Sequence, residues 1–320
     1  MSTDKQPLIL VLSNADDPEL RMLEGLPHLR INSPDDLTEH AKQAEVILHW
    51  IGPRDLLRTT FLACPKIRWV HSRSAGLDKS LFPELVQSPV PLTNGSGVFS
   101  PSLGEFALAA ILYFAKDFRR MIRNQQAGRW EQFLVEEIAG QTVGIVGYGD
   151  IGRAVASRVH AMGMHVLALK RHAPAGGDPL IDRFYPPAEI SAMLAECDYV
   201  VVATPLTPET HHMISDAAFD AMKPSGVIIN VGRGPCIDQA ALIRALNQGK
   251  IKGAGLDVFE EEPIPAGDPI FKFENVLVSP HCADQTKVWL QHAMEFFIRQ
   301  YQRFSTNQPL ENIVEKHLGY

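Results

Sequence analysis

The chain has 320 residues, enough for two domains with cores of their own. Hydrophobic residues make up 45% and charged residues 21%, the balance of a soluble globular protein rather than a disordered or fibrous one. The net charge of -7 argues against nucleic acid as a partner, and it requires any anionic ligand to be captured by local cations.

The opening residues, Met1 to Pro7, show no basic region followed by an apolar core, so no signal peptide is expected. The longest apolar run, Phe106 to Ala115, is too short to span a bilayer. Cys64, Cys197, Cys236 and Cys282 are scattered, without CxxC or zinc-ligand spacing. Reduced thiols, a cytoplasmic location and no metal site are the expectation.

In chain order, Leu8–Leu12 reads as a buried strand, followed by a helix around Pro18–Leu23 and another over Leu37–Ala44. Glu45–Trp50 is a strand, Pro53–Phe61 a helix opening on proline, and Ile67–Val70 a further strand. Two glycine-bearing loops follow, His71–Asp78 and Asn94–Pro101. Backbone N–H groups at Ala75 and Gly76 suit a carboxylate, although a plain turn explains those residues equally well. Ser102–Gln126 reads as one long helix, ended by Gly128, that takes the chain into a second domain. Trp130 lies in the loop beyond it.

The stretch from Gln141 to Arg171 organises the second half. Thr142–Val146 is a buried parallel strand that runs into Gly147-x-Gly149-x-x-Gly152. Ile151–Met162 is an amphipathic helix stopped by Gly163, and His165–Leu169 is the next strand. Gly-x-Gly-x-x-Gly between a strand and a helix is the dinucleotide fingerprint. Gly147 permits the tight turn, Gly149 the approach of a pyrophosphate, and Gly152 close helix packing; the N–H groups around Asp150 and Ile151 face the anion. The place for an acid that would accept from the adenosine ribose reads Lys170-Arg171-His172. Two cations there suit a 2′-phosphate, so NADPH is expected to be favoured, with NAD possible.

Further on, Pro187–Ala195 is a helix and Asp198–Ala203 a strand ending at Thr204-Pro205. Ser215–Met222 is helical, and Gly226–Val231 is a strand that delivers Gly232-Arg233-Gly234. Asp238 caps a helix over Gln239–Asn247, closed by Gly249. Gly255–Val258 and Asn275–Val278 are strands, and Val288–Arg303 is a final helix returning the chain to the first domain.

Arg233, Glu262 and His281 each sit just past a strand end. Taken singly they read as a surface arginine, a solvated acidic loop and one histidine among twelve. Together they are what hydride transfer to a 2-oxo acid needs. A guanidinium holds the carboxylate and polarises the carbonyl, an imidazolium donates a proton, and a carboxylate orients the imidazole and favours its charged form.

These motifs resemble the D-isomer-specific 2-hydroxyacid dehydrogenase family. The match rests on the glycine turn, Thr204-Pro205-Leu206, Asn230–Gly234, Gly255–Phe259 with Glu262-Pro263, Ser279-Pro280-His281, the Ala75-Gly76 loop and Glu105. The resemblance implies an α/β protein of two Rossmann-like domains. One is a discontinuous, flavodoxin-like substrate domain (1–101 and 288–320); the other is an inserted, doubly wound NAD(P)-binding domain (102–287). It implies a homodimer with the active site in the cleft between the domains. By the same resemblance Arg233 and His281 bind substrate, with Ala75 and Gly76 at its carboxylate. His281 is the acid/base and Glu262 its orienting group, while Thr204, Pro205, Val231, Gly232 and Asp257 contact the cofactor. The chain departs from the pattern at Lys170 and at Cys282-Ala283-Asp284-Gln285. Glyoxylate/hydroxypyruvate reductases lead the resemblance. Glu262 speaks against formate dehydrogenases, which carry glutamine there, and the short stretch after the last helix against a regulatory carboxy-terminal domain. The alternative is a dehydrogenase-like redox-sensing corepressor without turnover.

Overall fold

The computed structural model describes residues 6–319; the residues in which no signal peptide was expected fall mostly outside that range. The chain divides into two compact units, one of residues up to Phe99 together with those from Gln285 onward, the other Ser100–Asp284.

The first unit opens with β1 (Ile9–Ser13), β2 (His28–Ile31), β3 (Val46–Ile51), α1 (Arg54–Ala63), β4 (Trp69–Ser72), α2 (Pro83–Gln87) and β5 (Leu92–Asn94). All five strands are parallel in the order β2-β1-β3-β4-β5, the flavodoxin-like arrangement. β1 and β3 are apolar along almost their whole length because a parallel sheet is covered on both faces.

The second unit comprises α3 (Ser100–Ala115), α4 (Phe118–Gln126), β6 (Thr142–Val146), α5 (Asp150–Ala161), β7 (His165–Leu169), β8 (Arg183–Tyr185), α6 (Ile190–Glu196), β9 (Tyr199–Val202), α7 (Asp216–Ala221), β10 (Val227–Asn230), α8 (Gln239–Asn247), β11 (Gly253–Leu256) and β12 (Val276–Val278). Its seven parallel strands run β12-β11-β10-β9-β6-β7-β8, a doubly wound sheet whose order reverses between β6 and β9. Val200, Val202, Ile228 and Leu242 are among its buried core, each aliphatic side chain contributing about 1.5–3 kcal/mol on burial. Glycine lets α3 come close: a Cβ on Gly104 would meet the Ala154 backbone of α5 at 2.9 Å.

α9 (Trp289–Ser305) belongs to the first unit, where Phe297 stacks on Trp69 with ring centroids 5.4 Å apart. The following tail pairs with β5, Val314 N–H donating to Leu92 O at 2.8 Å. Among the described residues, no helix is long and apolar enough to cross a membrane.

Four expectations need correction. The helix expected over 102–126 is two, because Asp117 turns left-handed (φ 49°) and its carboxylate caps the Arg120 N–H of α4. Residues 37–44 hold only a short 3-10 turn, Ala41–Gln43, in place of a helix; Leu37 (ψ 76°) leaves helical geometry, and Thr38 Oγ1 accepts from the Ala41 N–H. Pro18–Leu23 is a 3-10 helix, not an α-helix. β2, β5 and β8 were missed as strands, being only three or four residues long.

Candidate active site

β6 and β9 lie side by side where the strand order reverses, so the loops at their carboxyl ends flank the crevice in which such sheets bind ligands. Gly147 leaves β6 with φ 98°, and a Cβ there would lie 2.7 Å from the Thr204 side chain beyond β9. A Cβ on Gly152 would overlap the Gly147 carbonyl, so hydrogen alone fits. Gly149 differs: nothing stands within 4 Å of where its Cβ would be. The turn is therefore closed behind and open in front, at the amino terminus of α5, where first-turn N–H groups and the helix dipole favour an anion. A dinucleotide pyrophosphate fits that arrangement.

The turn is braced from its far side. Lys170, just past β7, donates to Tyr148 O at 2.8 Å. The Tyr148 hydroxyl and Arg153 both donate to Asp178 Oδ2, at 2.9 and 3.1 Å, tying the loop after Lys170 against the glycine turn. Asp178 is held below the usual carboxylate range by the Leu180 backbone N–H and then by Tyr148 and Arg153. Arg171 is exposed. Its charge reaches Glu209, whose carboxyl is lowered first by a hydrogen bond from Thr207 and to a smaller degree by that arginine.

The buried Thr204 also meets Gly232: a Cβ on Gly232 would come within 2.7 Å of Thr204 O. The Thr204 hydroxyl turns toward Cys236 Sγ at 3.4 Å. Pro205 is exposed and Val231 buried. Asn230, the last residue of β10, folds the next turn over itself, its Oδ1 accepting from Gly232 N and its Nδ2 donating to Arg233 O, both at 3.0 Å. Arg233 is thereby presented half-buried on extended backbone, its Nη1 donating to Gly232 O at 2.8 Å. A Cβ on Gly234 would overlap the Phe259 carbonyl, so this turn nests against the segment after β11.

Asp257, 1% exposed, follows β11 and organises the histidine loop. Its Oδ1 accepts from Ser279 Oγ (2.5 Å), Cys282 N (3.0 Å) and Ala283 N (3.1 Å). Its backbone carbonyl takes the N–H of His281, which stands at φ 50°. His281 Nδ1 lies 2.7 Å from Glu262 Oε2, while Glu262 Oε1 accepts from Phe259 N at 2.9 Å. Both carboxylate oxygens are thus engaged, which fixes the carboxylate and through it the orientation of the ring. Ser102 Oγ donates to Ala283 O at 2.5 Å and holds the loop against α3. Burial pushes the Asp284 carboxyl above its usual range; His281 and Arg233 pull it down and Asp257 pushes it up, so one carboxyl senses all three.

In the first unit, β4 ends in the loop containing Ala75 and Gly76. Ser74 O accepts from Gly95 N at 3.3 Å, and Ala75 O accepts from Asn94 Nδ2 at 2.7 Å. In a trans peptide the C=O and the following N–H point opposite ways. Drawing these two carbonyls onto the end of β5 therefore aims the Ala75 and Gly76 N–H groups away from it, and both residues are half-buried. Two adjacent N–H groups aimed one way suit a carboxylate.

The sequence model described as the D-isomer specific 2-hydroxyacid dehydrogenase, NAD binding domain, matches residues 108–283. The chain belongs to this family of NAD(P)-dependent enzymes. A glyoxylate reductase of Korarchaeum cryptofilum is 34% identical over 264 residues, covering 81% of this chain and 79% of that protein. A D-isomer specific 2-hydroxyacid dehydrogenase from Xanthobacter autotrophicus, solved with NADPH and MES, matches with a TM-score of 0.86 at 29% identity, covering 99% of this chain and 100% of that one. An NADPH-dependent glyoxylate/hydroxypyruvate reductase from Sinorhizobium meliloti, solved with NADP and sulfate, matches with a TM-score of 0.84 at 26% identity, covering 99% and 100%.

Within this 2-hydroxyacid dehydrogenase, neighbouring strands bring Arg233, Glu262 and His281 to one sheet edge, and the glycine turn with Asp150 and Ile151 opens on the same edge. Lys170 lies closer to the turn than charge alone suggested, bonded to Tyr148 O, whereas Arg171 stays outermost. Asp257, read as a cofactor contact, has its Oδ1 committed to the histidine loop. The Asn94–Pro101 loop was picked out for its glycines, but not Asn94 and Gly95 as the residues that aim the Ala75–Gly76 peptides; the Asn-Gly pair at the end of a short buried strand was the signal.

Proposed function

We propose that this dehydrogenase reduces a small 2-oxo acid, glyoxylate or hydroxypyruvate foremost, to the D-2-hydroxy acid with NADPH. The observation that carries the reading is the 2.7 Å contact of His281 Nδ1 with a Glu262 carboxylate whose other oxygen is already bound. That pair orients the imidazole through Nδ1, as an acid/base that delivers a proton to the substrate oxygen requires.

When bound, the nicotinamide cofactor would supply the hydride for the carbonyl carbon. This chain's residues do the rest. Arg233 holds the carboxylate and polarises the carbonyl, His281 gives its Nε2 proton to the oxygen as negative charge develops there, and Glu262 keeps the imidazolium oriented. Ala75 and Gly76 offer N–H groups to the carboxylate. Gly147, Gly149, Asp150, Ile151 and Gly152 receive the pyrophosphate, with Thr204, Pro205, Val231, Gly232 and Asp257 around the rest of the nucleotide. Arg171, with Lys170 behind it, takes the 2′-phosphate; relatives solved with NADPH or NADP support that preference.

The same reading makes the protein a homodimer. Phe118, Met121 and Ile122 of α4 expose apolar side chains, and Trp130 (94% exposed) and Leu134 (98%) do so in the segment that α4 anchors through Asn124 and Glu131. The unpaired cysteines support action in the cytoplasm.

Initial rates of NADPH and NADH oxidation with glyoxylate, hydroxypyruvate and pyruvate in parallel test the reading. Faster turnover with NADPH, led by glyoxylate or hydroxypyruvate, supports it; NADH-led turnover discards the Lys170–Arg171 assignment. Tight nucleotide binding without turnover of any acid indicates a redox sensor instead. His281→Ala should cut kcat by about 10²–10⁴-fold while sparing NADPH affinity, and near-normal turnover would remove His281 from its role.

A further inference from the structure

Arg73, the first residue past β4, is 8% exposed, a buried cation in a unit with no assigned need for one. Its guanidinium lies between two indoles, 4.8 Å from the Trp50 ring and 5.0 Å from the Trp289 ring. Its Nη1 is 3.6 Å from Asp17 Oδ2, and that same oxygen accepts from Trp50 Nε1 at 2.7 Å. Trp289, the first residue of α9, is supported in turn by an edge contact with Phe99. Arg73 is therefore gripped by the segment after β1, the end of β3 and the start of α9. A planar cation satisfies two aromatic faces and a carboxylate at once, which a lysine would not.

Its main chain is gripped as well. Arg73 N donates to His49 O at 3.1 Å, and Arg73 O sits where any Cβ on Gly95 would have to be. The next two carbonyls are those drawn to Gly95 N and Asn94 Nδ2. Residues 73–76 are thus fixed at the upstream end by the arginine clamp and on one side by the end of β5. With those constraints the Ala75 and Gly76 N–H groups hold one direction.

We propose that Arg73 is a positioning residue for carboxylate recognition: the Trp50–Arg73–Trp289 clamp sets the two N–H groups that take the substrate carboxylate, without touching the substrate itself. This rests on the reading that Ala75 and Gly76 meet that carboxylate. It predicts a defect confined to binding of the acid, because the nucleotide-binding turn belongs to the other unit.

The test compares wild type with Arg73→Met, Arg73→Lys and Trp289→Leu, using oxalate as a non-reacting dicarboxylate titrated into the NADPH complex. Arg73→Met should weaken oxalate and raise KM for glyoxylate by about tenfold, equivalent to about 1.4 kcal/mol. Its kcat should stay within about threefold of wild type, and its NADPH Kd and melting temperature should stay close to wild type. Arg73→Lys should recover only part of the affinity, since charge returns without the planar stack. Unchanged oxalate affinity in folded Arg73→Met overturns the proposal, as does an equal loss of NADPH affinity, which would mark general damage. Should Arg73→Met fail to fold, Trp289→Leu leaves the Asp17 pair in place and must still weaken oxalate; normal affinity there is equally fatal. Oxalate binding to a wild-type protein that turns over no acid would defeat the proposed reaction yet leave the clamp testable. Wild-type protein that does not bind oxalate overturns the clamp's role.

Discussion

The proposed function gives the molecule two places where backbone N–H groups meet an anion, and they are built in opposite ways. In the second unit, the glycine turn draws its direction from itself: Gly147 at φ 98°, hydrogen-only contact at Gly152, and a helix amino terminus immediately after. In the first unit, the Ala75–Gly76 peptides precede no helix, and distant residues turn their carbonyls: Asn94 and Gly95 of one strand end, with Arg73 locked between two tryptophans. A self-directed site advertises itself as a motif. A site directed by its neighbours does not, and it is the more exposed to changes made elsewhere.

Substitutions sharpen this contrast. The largest effect is expected at Gly152→Ala, whose Cβ overlaps the Gly147 carbonyl; NADPH affinity should fall on the order of a hundredfold, about 2.8 kcal/mol, by equilibrium titration. Oxalate or acid binding should suffer only as far as it depends on prior nucleotide binding. Gly95→Ala is the mirror experiment. It pushes the Arg73 carbonyl aside, and KM for the acid should rise about tenfold with NADPH Kd unchanged. If both variants damage both ligands alike, the two loops are not independent devices. Asn94→Ala, which removes one of the two carbonyl tethers, should cost about 1 kcal/mol, a KM change of about fivefold.

The smallest and most general difference concerns acid. His71, fully buried in β4 beside Thr93 Oγ1 at 2.7 Å, is pushed by burial down to about 3. Below the ordinary histidine value the unfolded chain takes a proton that the folded chain refuses. The contribution to stability from keeping His71 neutral is therefore complete above pH 6.5 and is lost as pH falls toward about 3. The buried His49, also lowered by burial, adds to the same trend. His71→Gln, which keeps a partner for Thr93 but does not titrate, should flatten the fall of melting temperature with pH. An unchanged slope would remove His71 as its source.

How much of this was readable without coordinates follows the same division. The β6–α5–β7 unit, the Asp238 cap and the Gly249 stop depend on neighbours within a few residues, and all appear where the sequence places them. The break at Asp117 was invisible because helix-compatible residues lie on both sides, and nothing local announces a left-handed residue with a capping carboxylate. β2 was missed because His28 and Arg30 interrupt its apolar residues, as expected of an edge strand, and β5 because three residues carry no period. For Lys170, composition supplied a charge but no direction. Only the fold shows its ammonium turned back to Tyr148 O. Arg233, Glu262 and His281 could be named from their places after strands, and the resemblance already named Glu262 as the orienting group of His281; the hold of Asp257 on the histidine loop needed the fold.

Gly234 has a consequence for redesign. Because its α-carbon admits nothing larger than hydrogen against the Phe259 carbonyl, the arginine turn and the acidic loop interlock as a tongue does with its groove. Neither half can be exchanged alone with that of another family member without re-cutting the joint. Residues 230–236 and 257–262 therefore form one block for recombination, and chimaeras that transplant them together should keep the relation between Arg233 and Glu262, whereas those that split them should lose it.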